Sequence, residues 1–150
     1  MRRYLAVTDC GRILNPQVFE QQIQGGISQG LGYALMEEFS SREGKIRTAD
    51  LSTYILPTAL DVPDVESVAV ELHEPSGPFG LKGAGEIAVD GPLPAVANAL
   101  ADACGVRLFS APFTPERVLA ALVSQFETPL QFAEKSKIRN TKHENRNKAE

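Results

Sequence analysis

Apolar residues recur at every fourth position along the segment from about residue 17 to residue 39. The repeat consists of Ile23, Ile27, Leu31, Leu35 and Phe39. This spacing places the side chains on one face of a helix, where they can pack into a core. Asn15 and Pro16 stand directly before the segment and suit the N-cap and the first helical position. We therefore predict a long helix from about Gln17 to Phe39.

A second face of the same helix has a different chemistry. Gln22 and Gln29 are two helical turns apart and share this face, and four glycines surround them: Gly25, Gly26, Gly30 and Gly32. Each glycine inside a helix costs about 1 kcal/mol relative to alanine, so the four together cost roughly 3–4 kcal/mol. A sequence tolerates this where a bulky neighbour must approach the helix backbone. The neighbour is either a polar ligand, which the glutamine amides would suit, or another helix, which the residues alone favour slightly.

The remaining apolar runs are short and are bounded by turn residues, as is typical of strands. Strands are predicted at Tyr4–Val7, Ile46–Thr48, Val65–His73 and Val106–Phe109. In the third of these, Val68, Val70 and Leu72 fall on one face because side chains alternate along a strand.

Two further helices are predicted in the second half of the chain. Residues 95–103 are small and apolar almost throughout, follow Pro92, and end before Gly105, which suits a helix C-cap. We expect this helix to be buried. Thr114, as an N-cap before a proline, begins a last helix that extends from Glu116 to about Phe126.

The composition changes from Glu134 onward, where Lys and Arg alternate with Asn and Glu and only Ile138 could contribute to a core. We therefore predict one domain over residues 1–130 and a disordered charged tail over residues 131–150. A nucleic-acid-binding arm is the alternative for this tail, and a solvated or extraneous terminus is favoured over it.

The densest cluster of turn-forming residues is the stretch GPFGLKGAGE, from Gly77 to Glu86. Its glycines and proline exclude a stable helix or strand interior and indicate a tight loop whose backbone can approach another group closely. Glu86 ends the loop and stands directly before an apolar run. A carboxylate delivered into partly apolar surroundings is a plausible way to raise a pKa and to place a general base. The alternative, which composition alone favours, is a crowded turn in which Glu86 is solvated or caps a helix.

Composition and charge argue against several classes of function. The net charge is −4 and Trp is absent, which disfavours a nucleic-acid partner, and no apolar run approaches the length of a membrane span. His73, His143, Cys10 and Cys104 are isolated from one another, which disfavours a zinc or iron site with protein ligands and favours reduced thiols. The loop order G-x-x-G-x-G lacks the features of a phosphate-binding loop, so a nucleotide-binding module is a distant possibility.

Three motifs follow one another along the chain. They are DCGR at residues 9–12 with NP at 15–16, QIQGG at 22–26 with QGLG at 29–32, and FGLKGAGE at 79–86. In these motifs, over about residues 3–126, the chain resembles the molybdenum hydroxylases, the group of xanthine dehydrogenase, aldehyde oxidase and carbon monoxide dehydrogenase. The resemblance is to the C-terminal part of their molybdopterin-binding subunit. It implies an α+β fold with one long glycine-bearing helix, short strands and two later helices.

The resemblance also implies roles for four residues. Glu86 matches the family's catalytic base, which deprotonates a hydroxyl on molybdenum so that its oxygen attacks an aldehyde or N-heterocycle carbon while hydride passes to a sulfido ligand. Gln22 matches the glutamine that hydrogen-bonds the pterin, and the backbone of Ala84 and Gly85 would lie beside the metal centre. The implied cofactor is molybdenum–molybdopterin, as the pterin cytosine dinucleotide or a related form. Because the pterin dithiolene holds the metal, no metal-ligating residue is predicted.

The family's molybdenum subunit is several times longer than this chain. The resemblance therefore implies an incomplete portion of a catalytic subunit, expected to be inactive alone. Its expected partners are the remaining upstream part of the subunit, iron–sulfur and flavin (FAD) subunits or domains, and a small aldehyde or heterocyclic substrate. A cytoplasmic location is the default expectation. The alternative is a non-catalytic scaffold or assembly fragment that has lost cofactor binding.

Overall fold

The computed structural model describes residues 1–125 and contains short strands and three α-helices, consistent with the predicted α+β class. In chain order the elements are β1 (Arg3–Asp9), α1 (Pro16–Leu35), β2 (Ser41–Arg42), β3 (Lys45–Ile46), β4 (Asp64–Val70), a 3₁₀ turn (Pro78–Gly80), α2 (Pro92–Cys104) and α3 (Pro115–Ser124). The predicted tail, from residue 131 onward, lies outside the described residues.

The strands β1 and β4 pair in parallel, with Arg3 opposite Asp64 and Asp9 opposite Val70. Their inner face carries Tyr4, Ala6 and Val65, which pack against the core. Their outer face carries Leu5, Val7, Val68 and Val70, whose exposed fractions range from 38% to 61%. The predicted face of β4 is therefore the outer one, and Val65 is the valine of this strand that contacts the core. The short strands β2 and β3 form a separate antiparallel hairpin.

The helix α1 supplies most of the core, as its apolar repeat predicts. Ile23, Ile27 and Leu31 are at most 3% exposed. The Asn15 side chain accepts a hydrogen bond from the Val18 N–H at 3.1 Å, which confirms the predicted N-cap. The helix ends at Leu35, so its predicted extension to Phe39 is wrong.

The early end of α1 has a local cause. The N–H groups of Met36 and Glu37 both donate to the carbonyl oxygen of Gly32, at 3.0 Å and 2.8 Å, and the chain leaves the helical path there. Phe39 consequently lies outside the helix and is 65% exposed.

Close packing accounts for two glycines of α1. A Cβ on Gly26 would lie 2.8 Å from the Cβ of Ala88, and one on Gly30 would lie 2.7 Å from both the Val89 carbonyl oxygen and the Pro92 Cγ. These positions therefore admit the segment that follows the glycine loop, together with the first turn of α2. Gly25 is different, since a Cβ there would meet nothing within 4 Å.

The later helices were predicted in the right places, but their surroundings differ from expectation. Gly105 adopts φ 78° and caps α2, as predicted. Of the residues of α2 only Pro92 and Val96 are buried, so the expectation of a buried helix is wrong. Thr114 accepts a hydrogen bond from the Arg117 N–H at the start of α3, as an N-cap should.

The strand predicted at residues 106–109 is absent. Val106 is buried and Phe109 is 94% exposed, but no strand among residues 1–125 pairs with this segment. None of the helices described in that part of the chain has the length and hydropathy needed to cross a membrane.

Candidate functional site

The glycine loop is held against the turn that follows β1. Gly11 and Leu81 form an antiparallel bridge, the Arg12 N–H donates to the Gly80 carbonyl oxygen at 3.0 Å, and the Lys82 N–H donates to the Cys10 carbonyl oxygen at 2.9 Å. Gly11 has φ 62°, and a Cβ there would overlap the Gly80 carbonyl oxygen. This position therefore requires glycine both for its backbone conformation and for the close approach of the loop.

An ion pair reinforces this contact. The Lys82 Nζ lies 2.5 Å from the Asp9 Oδ2, and both side chains are about 30% exposed (31% and 29%). Asp9 also accepts hydrogen bonds from the N–H groups of Gly11 at 2.9 Å and Leu72 at 3.4 Å. The hydrogen bond from Lys82 and the backbone hydrogen bond from Gly11 hold the pKa of Asp9 below its usual value. The ammonium group of Lys82 is therefore bonded to the end of β1, next to the turn that holds the loop.

The glutamine predicted to contact the cofactor reaches the other end of the loop. The Gln22 Nε2 donates a hydrogen bond to the Gly85 carbonyl oxygen at 2.7 Å, across 63 positions of sequence. Gly85 stands between Ala84 and Glu86, so the structure brings all four predicted site residues together at the contact between α1 and the loop. Their catalytic and cofactor-binding roles stay predictions.

Two open clefts meet at Gly85. The first, which we call the Glu86 cleft, has a volume of about 560 Å³ and is lined by Gln29, Tyr33, Gly83, Gly85, Glu86, Ile87, Val89 and Asp90. The second, the Gln22 cleft, has a volume of about 380 Å³ and is lined by Cys10, Arg12, Ile13, Leu14, Asn15, Val18, Phe19, Gln22, Leu81, Lys82, Ala84 and Gly85. The glycine loop therefore separates a cleft containing the predicted base from a cleft containing the predicted cofactor contact.

The Glu86 cleft combines acidic and neutral polar groups. Glu86 is exposed, and within residues 1–125 its carboxylate makes no hydrogen bond or ion pair. Its backbone carbonyl accepts the Val89 N–H at 3.0 Å, which fixes the turn that carries it. In the same cleft the Gln29 Nε2 donates to the Tyr33 hydroxyl at 2.9 Å. A carboxylate free of competing partners in a wide cleft can accept a proton from a bound molecule.

Two polar lining residues of this cleft, Tyr33 and Asp90, were not predicted from the sequence. Tyr33 is four positions after Gln29 and so continues the polar face of α1, a signal that the helical period already contained. Asp90 follows the loop in a turn, where no periodic pattern places a side chain.

The Gln22 cleft has a more apolar wall with a buried thiol. Cys10 is 4% exposed, and burial raises the pKa of its thiol, so it behaves here as a packing residue. Cys10 and Cys104 are both free. Among the described residues, 1–125, no three His, Cys, Asp or Glu side chains come together in a way that could hold a metal ion.

The glycine loop is open at two of its glycines, Gly83 and Gly85. A Cβ on Gly83 or on Gly85 would meet nothing within 4 Å, and neither residue has a φ in the left-handed region. Neither packing within the described chain nor backbone conformation therefore requires glycine at these positions. At Gly85 the open space lies beside the Gln22 amide, which is bonded to the Gly85 carbonyl oxygen.

Comparisons with known proteins identify the family to which the chain is similar. Residues 1–63 match the family model of the molybdopterin cofactor-binding domain. The chain is 39% identical over 120 residues to the xanthine dehydrogenase molybdenum-binding subunit of Escherichia coli O157:H7, a match that covers 79% of this chain and 16% of that subunit. It is 38% identical over 125 residues to the aldehyde oxidoreductase molybdenum-binding subunit of Escherichia coli strain K12, covering 81% and 17%.

A solved structure gives the same result. The quinoline 2-oxidoreductase of Pseudomonas putida 86 superposes with a TM-score of 0.74 at 39% identity, over 80% of this chain and 16% of that chain. The chain spans only about a sixth of the length of these relatives (16% to 17%), although most of its own length is matched. The resemblance found in the sequence motifs is thereby confirmed, and the chain belongs to the molybdenum-binding subunit family of the xanthine dehydrogenases and aldehyde oxidoreductases.

Proposed function

We propose that this chain contributes the general base and part of the cofactor contact surface to a molybdenum hydroxylase that oxidises aldehydes or N-heterocycles. The observation that carries the proposal is the hydrogen bond from Gln22 to the Gly85 carbonyl, because it joins the glutamine of one motif to the loop that bears Glu86. The open positions beside Gly83 and Gly85 support it further, since they leave room for a bulky group at the same place.

Gln22 would hold the pterin cofactor with the part of its amide that the protein leaves free. A glutamine amide has two N–H donors and an oxygen that accepts, and the Gly85 carbonyl uses one donor. The hydrogen bond to Gly85 orients the amide and keeps it against the loop. The backbone of Ala84 and Gly85 would lie beside the molybdenum end of the cofactor, with no side chain larger than a methyl group to displace it. The cofactor would be the cytosine dinucleotide or a related form.

Glu86 would act as the proton acceptor. The molybdenum cofactor, when bound, supplies the redox and oxygen-transfer chemistry of the reaction. Glu86 accepts a proton at a carboxylate oxygen, which is free because no described residue occupies it. The turn closed by the Val89 N–H and the Glu86 carbonyl holds the backbone of this residue in place, while Gln29 and Tyr33 of α1 line the same cleft. Positioned proton transfer of this kind accelerates reactions by about 10²–10⁴-fold.

The chain would work only as part of a larger assembly. It spans 16% of the xanthine dehydrogenase subunit that it matches, so we propose that the remaining part of such a subunit completes both clefts. Iron–sulfur and flavin groups on partner chains or domains would carry electrons away. The competing proposal is a scaffold or assembly fragment that has the same fold and binds no cofactor.

The experiment compares Glu86→Gln with Asp90→Asn in the enzyme completed by the remaining part of the subunit. Both variants remove a negative charge from the Glu86 cleft and keep the side-chain volume. We expect Glu86→Gln to lower kcat by about 10²–10⁴-fold while molybdenum per protein is unchanged, and Asp90→Asn to lower it far less. Full turnover in Glu86→Gln would remove the assignment of the base, and absence of molybdenum from the unsubstituted assembly would favour the scaffold.

A further inference from the structure

A single carboxylate connects three separate segments beneath the glycine loop. Asp9 is the last residue of β1, and it accepts hydrogen bonds from Gly11 in the following turn, from Leu72 beyond the end of β4, and from the Lys82 ammonium group in the loop. The Asp9 carboxylate therefore joins the ends of β1 and β4 to the glycine loop through hydrogen bonds. Because both charged side chains are only about 30% exposed (31% and 29%), solvent screens this pair less than it screens a surface pair.

The pair lies on the opposite side of the loop from the predicted base. Lys82 lines the Gln22 cleft, Glu86 lines the Glu86 cleft, and Gly85 lines both. The ammonium group of Lys82 bonds to Asp9. This placement argues that Lys82 acts on the loop and not on a molecule in the Glu86 cleft.

Two backbone contacts hold the second half of the loop, one at Lys82 and one at Gly85. Lys82 is bonded through its N–H to Cys10, and Gly85 is bonded through its carbonyl to Gln22. Between these two points Gly83 and Ala84 form no described backbone hydrogen bond to a neighbouring segment. On its N-terminal side the position of Glu86 therefore depends on how firmly residues 82 and 85 are held, and on its C-terminal side it depends on the turn closed by the Val89 N–H.

We propose that Asp9 and Lys82 are positioning residues, whose ion pair fixes the glycine loop against the ends of β1 and β4 and so sets where Glu86 lies in its cleft. The consequence for catalysis rests on the proposed function of Glu86, whereas the consequence for the loop does not. Loss of the ion pair should free the loop backbone around Lys82 from the turn after β1. The core of α1 should stay intact, because it is formed by separate apolar contacts.

The test measures amide hydrogen exchange in the 150-residue chain without cofactor. The reporters are the N–H groups of Arg12 and Lys82, which cross between the loop and the turn, and the reference is the N–H of Ile27 in the buried face of α1. We expect Lys82→Met to accelerate exchange of the reporters by roughly tenfold relative to the reference, the effect of losing a charge-assisted hydrogen bond. Lys82→Arg, which retains the ion pair, should restore slow exchange.

Asp9→Asn should have the same effect as Lys82→Met and is measured separately, so that global unfolding of either variant leaves the other to decide. Lys45→Met, on the exposed strand β3, removes the same charge and should leave the reporters unchanged. In the completed enzyme, Lys82→Met should lower kcat at constant molybdenum content, and Lys82→Arg should recover it. Unchanged reporter exchange in Lys82→Met or Asp9→Asn would overturn the proposal, whatever Glu86→Gln does to turnover.

Discussion

The side-chain amide of Gln22 and the carbonyl oxygen of Gly85 are 2.7 Å apart, which joins the second turn of α1 to the residue before Glu86. This contact gives a structural reason for two sequence motifs to occur together, although 63 positions separate them. The same contact divides the two clefts. Substitutions on either side of it should therefore separate cofactor retention from the stability of the fold.

Replacement of Gln22 tests the cofactor side of the contact. We expect Gln22→Ala to lower the molybdenum content of the completed enzyme, because it removes both the orienting bond to Gly85 and the free polar groups of the amide. Gln24→Ala is the matched control, since Gln24 lies on the same helix and bonds to Glu20. Metal analysis per protein measures the effect, and equal molybdenum in the two variants would contradict the assignment of Gln22.

The open loop glycines should be dispensable for folding. Because a Cβ at Gly83 or Gly85 meets nothing within 4 Å, we expect Gly83→Ala and Gly85→Ala to keep the free energy of unfolding or to raise it by about 0.4–1 kcal/mol. The same substitutions should lower molybdenum retention in the completed enzyme, since they fill the space proposed for the cofactor. Denaturant titration and metal analysis measure the two effects. Normal molybdenum content in both variants would show that no bulky group lies there.

Two glycines of α1 should respond to alanine in opposite directions. Gly30→Ala would bring a Cβ to 2.7 Å from the Val89 carbonyl oxygen, so we expect the crowding, worth about 1–3 kcal/mol, to outweigh the gain in helix propensity. At Gly25 nothing lies within 4 Å, and Gly25→Ala should raise the free energy of unfolding by about 1 kcal/mol. Urea denaturation of the 150-residue chain decides, and the same sign for both substitutions would contradict the packing described for α1.

The attachment of the loop should weaken in acid. The hydrogen bonds from Lys82 and Gly11 lower the pKa of Asp9 in the folded protein. The stabilisation is therefore fully present above the unfolded value, about 3.8, and is lost as the pH falls through the lower folded value. We expect exchange protection of the Lys82 N–H, corrected for the intrinsic rate, to fall in that range before protection of Ile27 falls. In Asp9→Asn this step should be missing, and its persistence there would assign it to another acid.

The predictions that depended on neighbours in sequence agree with the structure. The caps formed by Asn15 and Thr114, and the left-handed Gly105, follow from local hydrogen bonds and backbone preference. The end of α1 does not follow from local preferences. The Gly32 carbonyl oxygen accepts two N–H groups, and the helix ends there although the apolar repeat continues to Phe39.

The sequence pattern could not predict which strands pair when they are distant in the sequence. Residues 106–109 alternate between buried and exposed as a strand would, yet alternation reports packing and says nothing about whether a partner strand exists. In the site, the family motifs implied that Gln22 and Gly85 serve one cofactor, whereas the hydrogen bond between them is visible only in the structure. Asp90 could not have been found at all, since its place in the Glu86 cleft depends on the turn after the loop.

The outer face of the β1–β4 pair has a practical consequence. This face exposes four apolar side chains, those of Leu5, Val7, Val68 and Val70. Parallel sheets in proteins normally have both faces covered, and exposed apolar patches favour association with other apolar surfaces. A sample of the separate polypeptide should bind hydrophobic dyes and self-associate as its concentration rises. Hydrogen-exchange and denaturation measurements on the separate chain therefore require material that is shown to be monodisperse in solution.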